Sequence, residues 1–259
     1  MNASNPPPAN PGSVLVTGGT KGIGLAIARR LAPIYGRIIL AYHSDEVAAE
    51  AARAELSALG AEVTTVKADV GALEGVAQLM GVIEAAGHGL THIVHSAAMI
   101  YPTTLLGADL ARFRQATETN GLSLLYLVHG AQALLDRGSS IVFITSMGSR
   151  IPSANYGALG VGKALAEAVV RYLVAELAPR GIRVNAVAPG LVHTTSVAGM
   201  VGSEEAAQAV VDRNARSSPS GRASRDADYA SLVEYLLSPD AEFIQGQVIA
   251  ATGGTGVIG

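Results

Sequence analysis

Residues 14–24 read Val-Leu-Val-Thr-Gly-Gly-Thr-Lys-Gly-Ile-Gly, an apolar run that passes directly into a glycine-rich loop. Glycine has no side chain, so such a loop turns tightly and brings its backbone close to a ligand. A helix that begins at the end of the loop offers its first N–H groups and the positive end of its dipole to phosphate. The Gly-x3-Gly-x-Gly spacing from Gly18 to Gly24 therefore predicts a strand–loop–helix unit that binds a dinucleotide.

The rest of the chain continues this alternation of strand and helix. Continuous apolar runs favour strands buried on both faces, and apolar residues at three- and four-residue intervals favour helices. The predicted strands are Val14–Thr17, Arg37–Tyr42, Glu62–Lys67, Thr91–His95, Ser140–Thr145, Ile182–Val187 and Gln247–Ala250. The predicted helices are Lys21–Tyr35, Asp45–Leu59, Ala72–Ala86, Asp109–Leu135, Ser153–Leu177, Ser203–Ala215 and Asp226–Leu237. This order predicts an α/β fold, a single-domain Rossmann-type doubly wound parallel sheet with flanking helices.

The composition narrows the class of protein. The 259 residues carry a net charge of −3 and include no cysteine. Because no basic cluster is present, neither a nucleic acid nor a membrane surface is expected as a partner. The lack of cysteine excludes disulfides, thiolate metal sites and a cysteine nucleophile.

The first residues carry no targeting signal that we recognise. Residues 1–12 are rich in proline and lack the basic start and apolar core of a signal peptide, so they predict a disordered tail. Residues 13–259 are expected to form a single dinucleotide-binding catalytic domain. No apolar stretch reaches the ~18 residues needed to span a bilayer, and we expect a cytoplasmic protein.

The glycine loop resembles the cofactor loop of the short-chain dehydrogenase/reductase family, and the resemblance extends over residues 14–258. It implies that Asp69 contacts the adenine and that Pro189–Thr194 forms the loop beside the nicotinamide. The cofactor-binding residues implied in this way are Gly18, Thr20, Lys21, Gly22, Ile23, Gly24, His43, Ser44, Asp69, Val70, Ser96, Ala97, Lys163, Pro189, Gly190, Val192 and Thr194.

One segment departs from the family pattern. Residues 95–98 read His-Ser-Ala-Ala, where the family usually has Asn-Asn-Ala-Gly, and the missing asparagine predicts a gap in the hydrogen bonding of this loop. His92 and His95 lie three residues apart on a predicted strand, so they point to opposite faces and predict no metal site.

The cofactor is expected to be NADP(H). An NAD enzyme of this architecture usually places an acidic residue at the end of the second strand, and residues 38–44 contain none. Lys21 occupies a position where NADP-dependent members of the family often carry a basic residue for the 2′-phosphate, and His43 and Ser44 add donors. Asp45 comes next, and we interpret it as a carboxylate that faces the dipole of the following helix.

The catalytic residues implied by the resemblance have an unusual spacing. Ser146 matches the catalytic serine, Lys163 keeps the position of the catalytic lysine, and Asn120 matches the asparagine of the fourth helix. The position that holds tyrosine in most of the family is Leu159, and the tyrosine lies three residues earlier, at Tyr156.

This Tyr-x6-Lys spacing resembles the enoyl-thioester reductases of the family. The segments Ser146-Met-Gly-Ser and Asn155-Tyr156-x3-Gly160-Val-x-Lys163-Ala164 are similar to the type III enoyl-ACP reductases in particular. In ketone reduction the hydride goes to the carbon that bears the oxygen, whereas in enone reduction it goes to the β carbon. Negative charge then appears on a more distant enolate oxygen, which a displaced donor can follow. Glycines within the predicted helix indicate either close packing at the site or a later helix start.

The roles follow from this comparison. Tyr156 is expected to donate a hydrogen bond or proton to the developing oxyanion, with Ser146 as a second donor. Lys163 is expected to bind the nicotinamide ribose and to lower the pKa of Tyr156. Asn120 is expected to hold a water that links Lys163 to solvent.

The sequence therefore predicts an NADPH-dependent reductase acting on an enoyl thioester or other conjugated carbonyl. The alternative is a ketoreductase acting on a polyketide-type or other bulky ketone in secondary metabolism, and a non-catalytic NADP(H) sensor is a third hypothesis. Residues 195–220 are expected to form a lid over a lipophilic substrate, free or carrier-bound. The resemblance implies a homotetramer or homodimer assembled through the fourth and fifth helices.

Overall fold

Seven parallel strands form the centre of the molecule. The computed structural model describes residues 12–87 and 89–256, so residues 1–11 of the predicted proline-rich tail and residues 257–259 lie outside it. The strands pair in the order β3-β2-β1-β4-β5-β6-β7. Their bounds are β1 (Ser13–Thr17), β2 (Arg37–Tyr42), β3 (Glu62–Lys67), β4 (His92–His95), β5 (Ser140–Ile144), β6 (Arg183–Pro189) and β7 (Val248–Ala251).

Helices cover both faces of this sheet. Along the described residues they are α1 (Gly22–Leu31), α2 (Glu46–Ala58), α3 (Leu73–Ala85), α4 (Leu110–Thr117), α5 (Ser123–Gly130), α6 (Gly157–Leu177), α7 (Thr195–Val201), α8 (Glu204–Ser217) and α9 (Asp226–Leu237). One core cluster packs α1, α2 and α9 against one face, and a second packs α3, α5 and α6 against the other. The predicted doubly wound parallel sheet is confirmed.

The central strands carry apolar runs because both of their faces are buried, whereas the edge strands β3 and β7 are only partly buried. In β1, Val14 and Val16 belong to the core beside α1 and α9, whereas Leu15 belongs to the core beside α3 and α6. The same alternation separates Val142 from Phe143 in β5. This double burial is why continuous apolar runs identified the strands correctly.

The long helix predicted over Asp109–Leu135 is wrong in two respects. It is interrupted by a π-helical turn at Glu118–Leu122, and the helix after the turn ends at Gly130. The turn lies where α6 comes very close, since a Cβ atom added to Gly162 would lie 2.6 Å from the Cβ of Asn120. A π-helical turn holds one more residue than an α-helical turn, and turns of this kind are frequent at functional sites.

The helix predicted from Ser153 begins later, at Gly157. Asn155 has a φ of +58°, a left-handed conformation that stops a helix from extending backwards through it. Thr103 donates its backbone N–H to the Asn155 carbonyl at 3.0 Å, and a single bridge joins Thr103 to Tyr156. Tyr156 is therefore the N-cap residue of α6 and lies before the helix.

The predicted lid region contains two helices, α7 and α8, of which α7 was not predicted. Within the described ranges, no helix combines the length and the apolar character needed to cross a membrane.

Candidate active site

The loops that follow β1, β4, β5 and β6 meet at one edge of the sheet. Ser96 donates its backbone N–H to the Thr17 carbonyl at 3.2 Å, and Thr145 donates to Val187 at 2.8 Å. Because the strands are parallel, their carboxyl ends share this edge, which is where ligands bind in open α/β sheets. The structure thus brings the glycine loop, Ser146 and the segment after Pro189 to the same side of the sheet.

The glycine loop forms a close backbone cradle. Gly18 and Gly22 have φ angles of +60° and +52°. A Cβ atom on Gly18 would lie 2.8 Å from the Cα of Ala97, and one on Gly24 would clash with the Gly18 carbonyl. Within the described residues, Lys21 precedes α1 without capping it through its side chain. The cradle and the uncapped first turn of α1 fit the pyrophosphate of a dinucleotide.

Three other predicted cofactor residues turn their side chains towards the core. Thr20 and Val70 are buried, and Ile23 packs against the core cluster beside α1. Any contact that they make with a dinucleotide would therefore come mainly from their backbone atoms.

The residues expected at the adenosine end lie on the surface around the end of β2. The Lys21 ammonium donates to Asp45 Oδ2 at 2.8 Å, and Lys21 holds the pKa of the Asp45 carboxyl below its usual value. Asp45 also accepts the Ala48 N–H at 2.9 Å, which confirms it as the cap of α2. His43 is largely exposed and lies 3.9 Å from Asp69. The cation predicted to bind a 2′-phosphate is therefore present, but its ammonium group forms an ion pair with Asp45.

His95 fills the place that the family's asparagine leaves. Its Nδ1 lies 2.6 Å from Thr17 Oγ1, and its Nε2 lies 2.7 Å from Ser123 Oγ. Ser123 donates its hydroxyl proton to the Thr119 carbonyl at 2.6 Å, so it accepts from His95. The imidazole therefore carries its proton on Nε2 and accepts from Thr17 through Nδ1.

This histidine corrects the expectation of a gap in the hydrogen bonding of the loop. Full burial, together with the nearby Lys163 charge, lowers the pKa of His95 to about 3, so the ring is neutral at ordinary pH. His92 points to the opposite face, where its Nδ1 accepts the Ser140 N–H at 3.1 Å. Among the described residues no group of three potential ligands could hold a metal ion.

Ser146 and Tyr156 come together after β5, and Lys163 lies against the end of that strand. The Tyr156 hydroxyl donates to Ser146 Oγ at 3.0 Å. Gly148 leaves room for the phenol, because a Cβ atom there would clash with the Tyr156 ring. The Lys163 ammonium is buried, donates to the Ile144 carbonyl at 2.7 Å and lies 4.4 Å from the centre of the Phe143 ring.

Burial controls the protonation of these groups. It lowers the pKa of Lys163 to about 7, and the Glu167 charge opposes that effect. Burial also raises the pKa of Tyr156, against the hydrogen bond to Ser146. The raised pKa of Tyr156 differs from the expectation that Lys163 lowers it, because burial of the phenol outweighs its hydrogen bond to Ser146.

Asn120 lies buried within the π-helical turn. Its side-chain oxygen accepts the Met99 N–H at 2.8 Å, and its amide donates to the Met99 carbonyl at 3.0 Å. The side chain thus fixes the backbone after β4, and the water link from Asn120 to Lys163 stays a prediction.

The predicted nicotinamide loop runs from the end of β6 to α7. A Cβ atom on Gly190 would lie 2.9 Å from the Cβ of Ser224, and Val192 is buried. Thr194 caps α7 by accepting the Val197 N–H at 3.2 Å. Its methyl group lies beside Gly22, so this loop and the glycine loop adjoin.

The sequence reasoning missed one buried group of the site. Glu167 lies on α6 and accepts hydrogen bonds from residues on both sides of Ser146. An acidic residue within the apolar run Ala-Leu-Ala-Glu-Ala-Val-Val, one turn after Lys163, was the available signal.

Comparison with known proteins agrees with this geometry. A family model described as enoyl-(acyl carrier protein) reductase matches residues 18–256. This chain is a short-chain dehydrogenase/reductase. It is an oxidoreductase of that type, and its fold places the glycine loop, Ser146 and the segment after Pro189 at one edge of the sheet.

Relatives within the short-chain dehydrogenase/reductase family cover almost the whole chain. An uncharacterised oxidoreductase of Methylorubrum extorquens is 33% identical over 93% of this chain and 96% of its own length. The 1-cyclohexenylcarbonyl-CoA reductase of Streptomyces collinus is 32% identical over 94% of this chain and 86% of its own length. The solved structure of the angucycline C-6 ketoreductase LanV with bound NADP has a TM-score of 0.84 and 26% identity, covering 95% of this chain and 96% of LanV.

Proposed function

We propose that this protein is an NADPH-dependent reductase that transfers a hydride to an enoyl thioester or another conjugated carbonyl compound. The observation that carries the proposal is the place of Tyr156. The phenol lies before α6 and bonds to Ser146, while the customary tyrosine position holds the buried side chain of Leu159. The match to an enoyl-(acyl carrier protein) reductase model and the similarity to a cyclohexenylcarbonyl-CoA reductase support it.

The reason is the position of the developing charge. Hydride addition to the β carbon of a conjugated thioester leaves negative charge on the thioester oxygen, which is three bonds from the carbon attacked instead of the one bond of ketone reduction. A hydroxyl displaced from its customary position can then stand within ~3 Å of that oxygen. Ser146 Oγ accepts the hydrogen bond of the Tyr156 hydroxyl at 3.0 Å and so orients it. Ser146 also provides a second hydroxyl at the same place.

The remaining residues would hold the cofactor and the substrate. Bound NADPH supplies the hydride. The backbone of the glycine loop would hold its pyrophosphate, Lys21 its 2′-phosphate and Lys163 its nicotinamide ribose. The helices α7 and α8 would cover a lipophilic substrate, since Gly199 of α7 already lies close to Ile100 in the loop after β4.

The second candidate is a ketoreductase that acts on a polyketide-type or other bulky ketone. The specific observation in its favour is the structural similarity to LanV, a ketoreductase with bound NADP. A displaced phenol also serves a ketone, provided that the carbonyl is bound in a different orientation.

One parallel assay separates these functions. Purified protein is mixed with NADPH, and dihydronicotinamide absorbance is followed with a crotonyl thioester, a β-ketoacyl thioester and an aromatic polyketide ketone. We expect turnover of the crotonyl thioester. Turnover of a ketone alone would establish the second candidate, and tight NADPH binding with no turnover of any of the three would favour a sensor of the dinucleotide.

A further inference from the structure

Glu167 is a buried carboxylate that the proposed mechanism does not use. It lies on α6 one helical turn after Lys163 and is 4% exposed. Burying a carboxylate is costly unless hydrogen-bond donors and cations surround it. Its partners should therefore indicate what the group does.

The carboxylate connects α6 to the segment that carries Ser146. Its Oε1 accepts the Thr145 hydroxyl at 2.7 Å and the Ser149 hydroxyl at 2.6 Å. Its Oε2 lies 3.3 Å from Nε of Arg150, whose side chain is 44% exposed. Thr145 comes directly before Ser146, and Ser149 and Arg150 come shortly after it. One side chain thus holds both ends of the serine segment against α6.

The same carboxylate acts on Lys163. Burial lowers the pKa of Lys163 to about 7, and the Glu167 charge raises it again. Among the described residues, the other titratable group that interacts with this lysine is His95 on β4, whose ring tilts against the same Phe143 ring that the ammonium faces. Arg150, on the loop after β5, lies on the far side of Glu167. His95 is neutral and Arg150 is cationic, so the carboxylate is the group among these that stabilises the ammonium form.

We propose that Glu167 is a positioning residue that holds the Ser146 segment in register with α6 and favours the charged form of Lys163. The consequence for the reaction rests on the proposed reductase function, in which Lys163 binds the ribose. The contacts of Glu167, and its effect on Lys163, do not depend on which substrate is reduced.

The composition makes the effect on Lys163 directly measurable. The chain has lysine at only three positions, 21, 67 and 163. Protein labelled at the lysine ε-carbon will give few NMR signals, and a Lys163→Arg variant assigns the one from the site. In the cofactor-free wild-type protein we expect this signal to titrate near pH 7.

Glu167→Gln removes the charge with little change in shape. We expect the Lys163 midpoint to fall by roughly one pH unit. The matched control is Glu176→Gln, which makes the same change at an exposed position on the same helix and should leave the midpoint in place. A folded Glu167→Gln protein whose Lys163 titrates as in the wild type would overturn the proposal.

Two further variants separate the effect of the charge near Lys163 from the effect of the length of the side chain at position 167. Glu167→Asp keeps the charge but withdraws it from Thr145 and Ser149, so the Lys163 midpoint should stay near the wild-type value while kcat falls. Arg150→Gln removes the surface cation and should raise the midpoint, opposite to Glu167→Gln. Arg150→Gln also tests the proposal if Glu167→Gln does not fold, because a lowered or unchanged Lys163 midpoint would contradict the proposal.

The titration is independent of the proposed function. It uses neither substrate nor cofactor, so a failed reductase assay leaves it untouched. In an active enzyme, the alkaline limb of the kcat/KM profile should move to lower pH in Glu167→Gln and stay in place in Glu176→Gln.

Discussion

Single residues determine where the phenol of Tyr156 lies. Asn155 adopts a left-handed conformation, which asparagine tolerates better than most residues, and so α6 begins only after Tyr156. Gly148 supplies the space for the ring. The hydroxyl then meets Ser146 although Tyr156 lies outside α6, which the sequence predicted to start at Ser153.

Replacing Tyr156 with phenylalanine should lower kcat by roughly 10²–10⁴-fold, because the change removes the donor but keeps the ring against Gly148. The measurement is turnover of the substrate found in the parallel assay. Tyr172→Phe on the exposed face of α6 is the control and should behave as the wild type. A wild-type rate in Tyr156→Phe would refute the role of the phenol.

The buried histidines should make the protein labile to acid. Burial lowers the pKa of His95 to about 3 and that of His92 to about 4, from a usual value of 6.5. Between these values and pH 6.5 the unfolded chain binds protons that the folded protein does not. The free energy of unfolding should therefore be highest above pH 6.5 and fall with decreasing pH, by about 1.4 kcal/mol per pH unit for each histidine.

Chemical denaturation as a function of pH measures this slope. His95→Gln should reduce the slope by the contribution of one histidine over this pH range, whatever its effect on stability at neutral pH. An identical slope in His95→Gln and the wild type would show that His95 does not titrate as a buried neutral ring.

At the scale of elements, the contact between α6 and the π-helical turn should be intolerant of added atoms. A Cβ atom on Gly162 would lie 2.6 Å from the Cβ of Asn120, within packed backbone. Gly162→Ala should destabilise the fold by about 1–3 kcal/mol. Gly81 on α3 has open space around it, so Gly81→Ala should stabilise the fold by up to about 1 kcal/mol. Equal effects of the two substitutions, measured by thermal unfolding, would contradict this packing argument.

The loops after β1 and β2 should together set the choice between NADPH and NADH. Lys21→Ala should weaken NADPH binding by up to about fivefold, as for the loss of an exposed ion pair, and leave NADH binding almost unchanged. Asp45→Asn should tighten NADPH binding, since it frees Lys21 while asparagine still caps α2. Glu46→Gln alters a neighbouring pair with Lys67 and is the control. Fluorescence titration gives the constants, and stronger NADH than NADPH binding by the wild type would overturn the assignment.

The sequence predicted the bounds of some helices and strands more accurately than those of others. The bounds of β2, β3 and α9 were correct, because periodic apolar residues mark them without ambiguity. The π-helical turn was not predicted, and the late start of α6 was only one of two explanations for its glycines, since both features depend on contacts between distant segments, such as Thr103 with Tyr156. Ser146, Tyr156 and Lys163 could be singled out from their spacing and stay predicted catalytic residues, whereas Glu167 was missed because its partners become visible only in three dimensions.

For the whole molecule, several helices carry apolar side chains that a single chain leaves in contact with water. Leu110 on α4, Leu125 on α5, and Val161 and Tyr172 on α6 are all exposed. Light scattering should therefore show a homodimer or homotetramer, as the family resemblance implies. Leu125→Glu combined with Val161→Glu should dissociate it, whereas Val47→Glu on the exposed face of α2 should not. A monomeric wild-type protein would contradict this prediction.

The strand order has a consequence for how the chain is made. Val14 pairs with Ile38 of β2 on one side and with His92 of β4 on the other. During synthesis, β1 therefore leaves the ribosome long before β4 is available to pair with it. Until β4 emerges, the nascent protein presents the bare edge of an apolar strand, which is a site for aggregation. Pairings between such remote segments also slow the search for the native state. Newly synthesised copies of this enzyme will therefore depend on chaperones during translation more than a helical bundle of equal length.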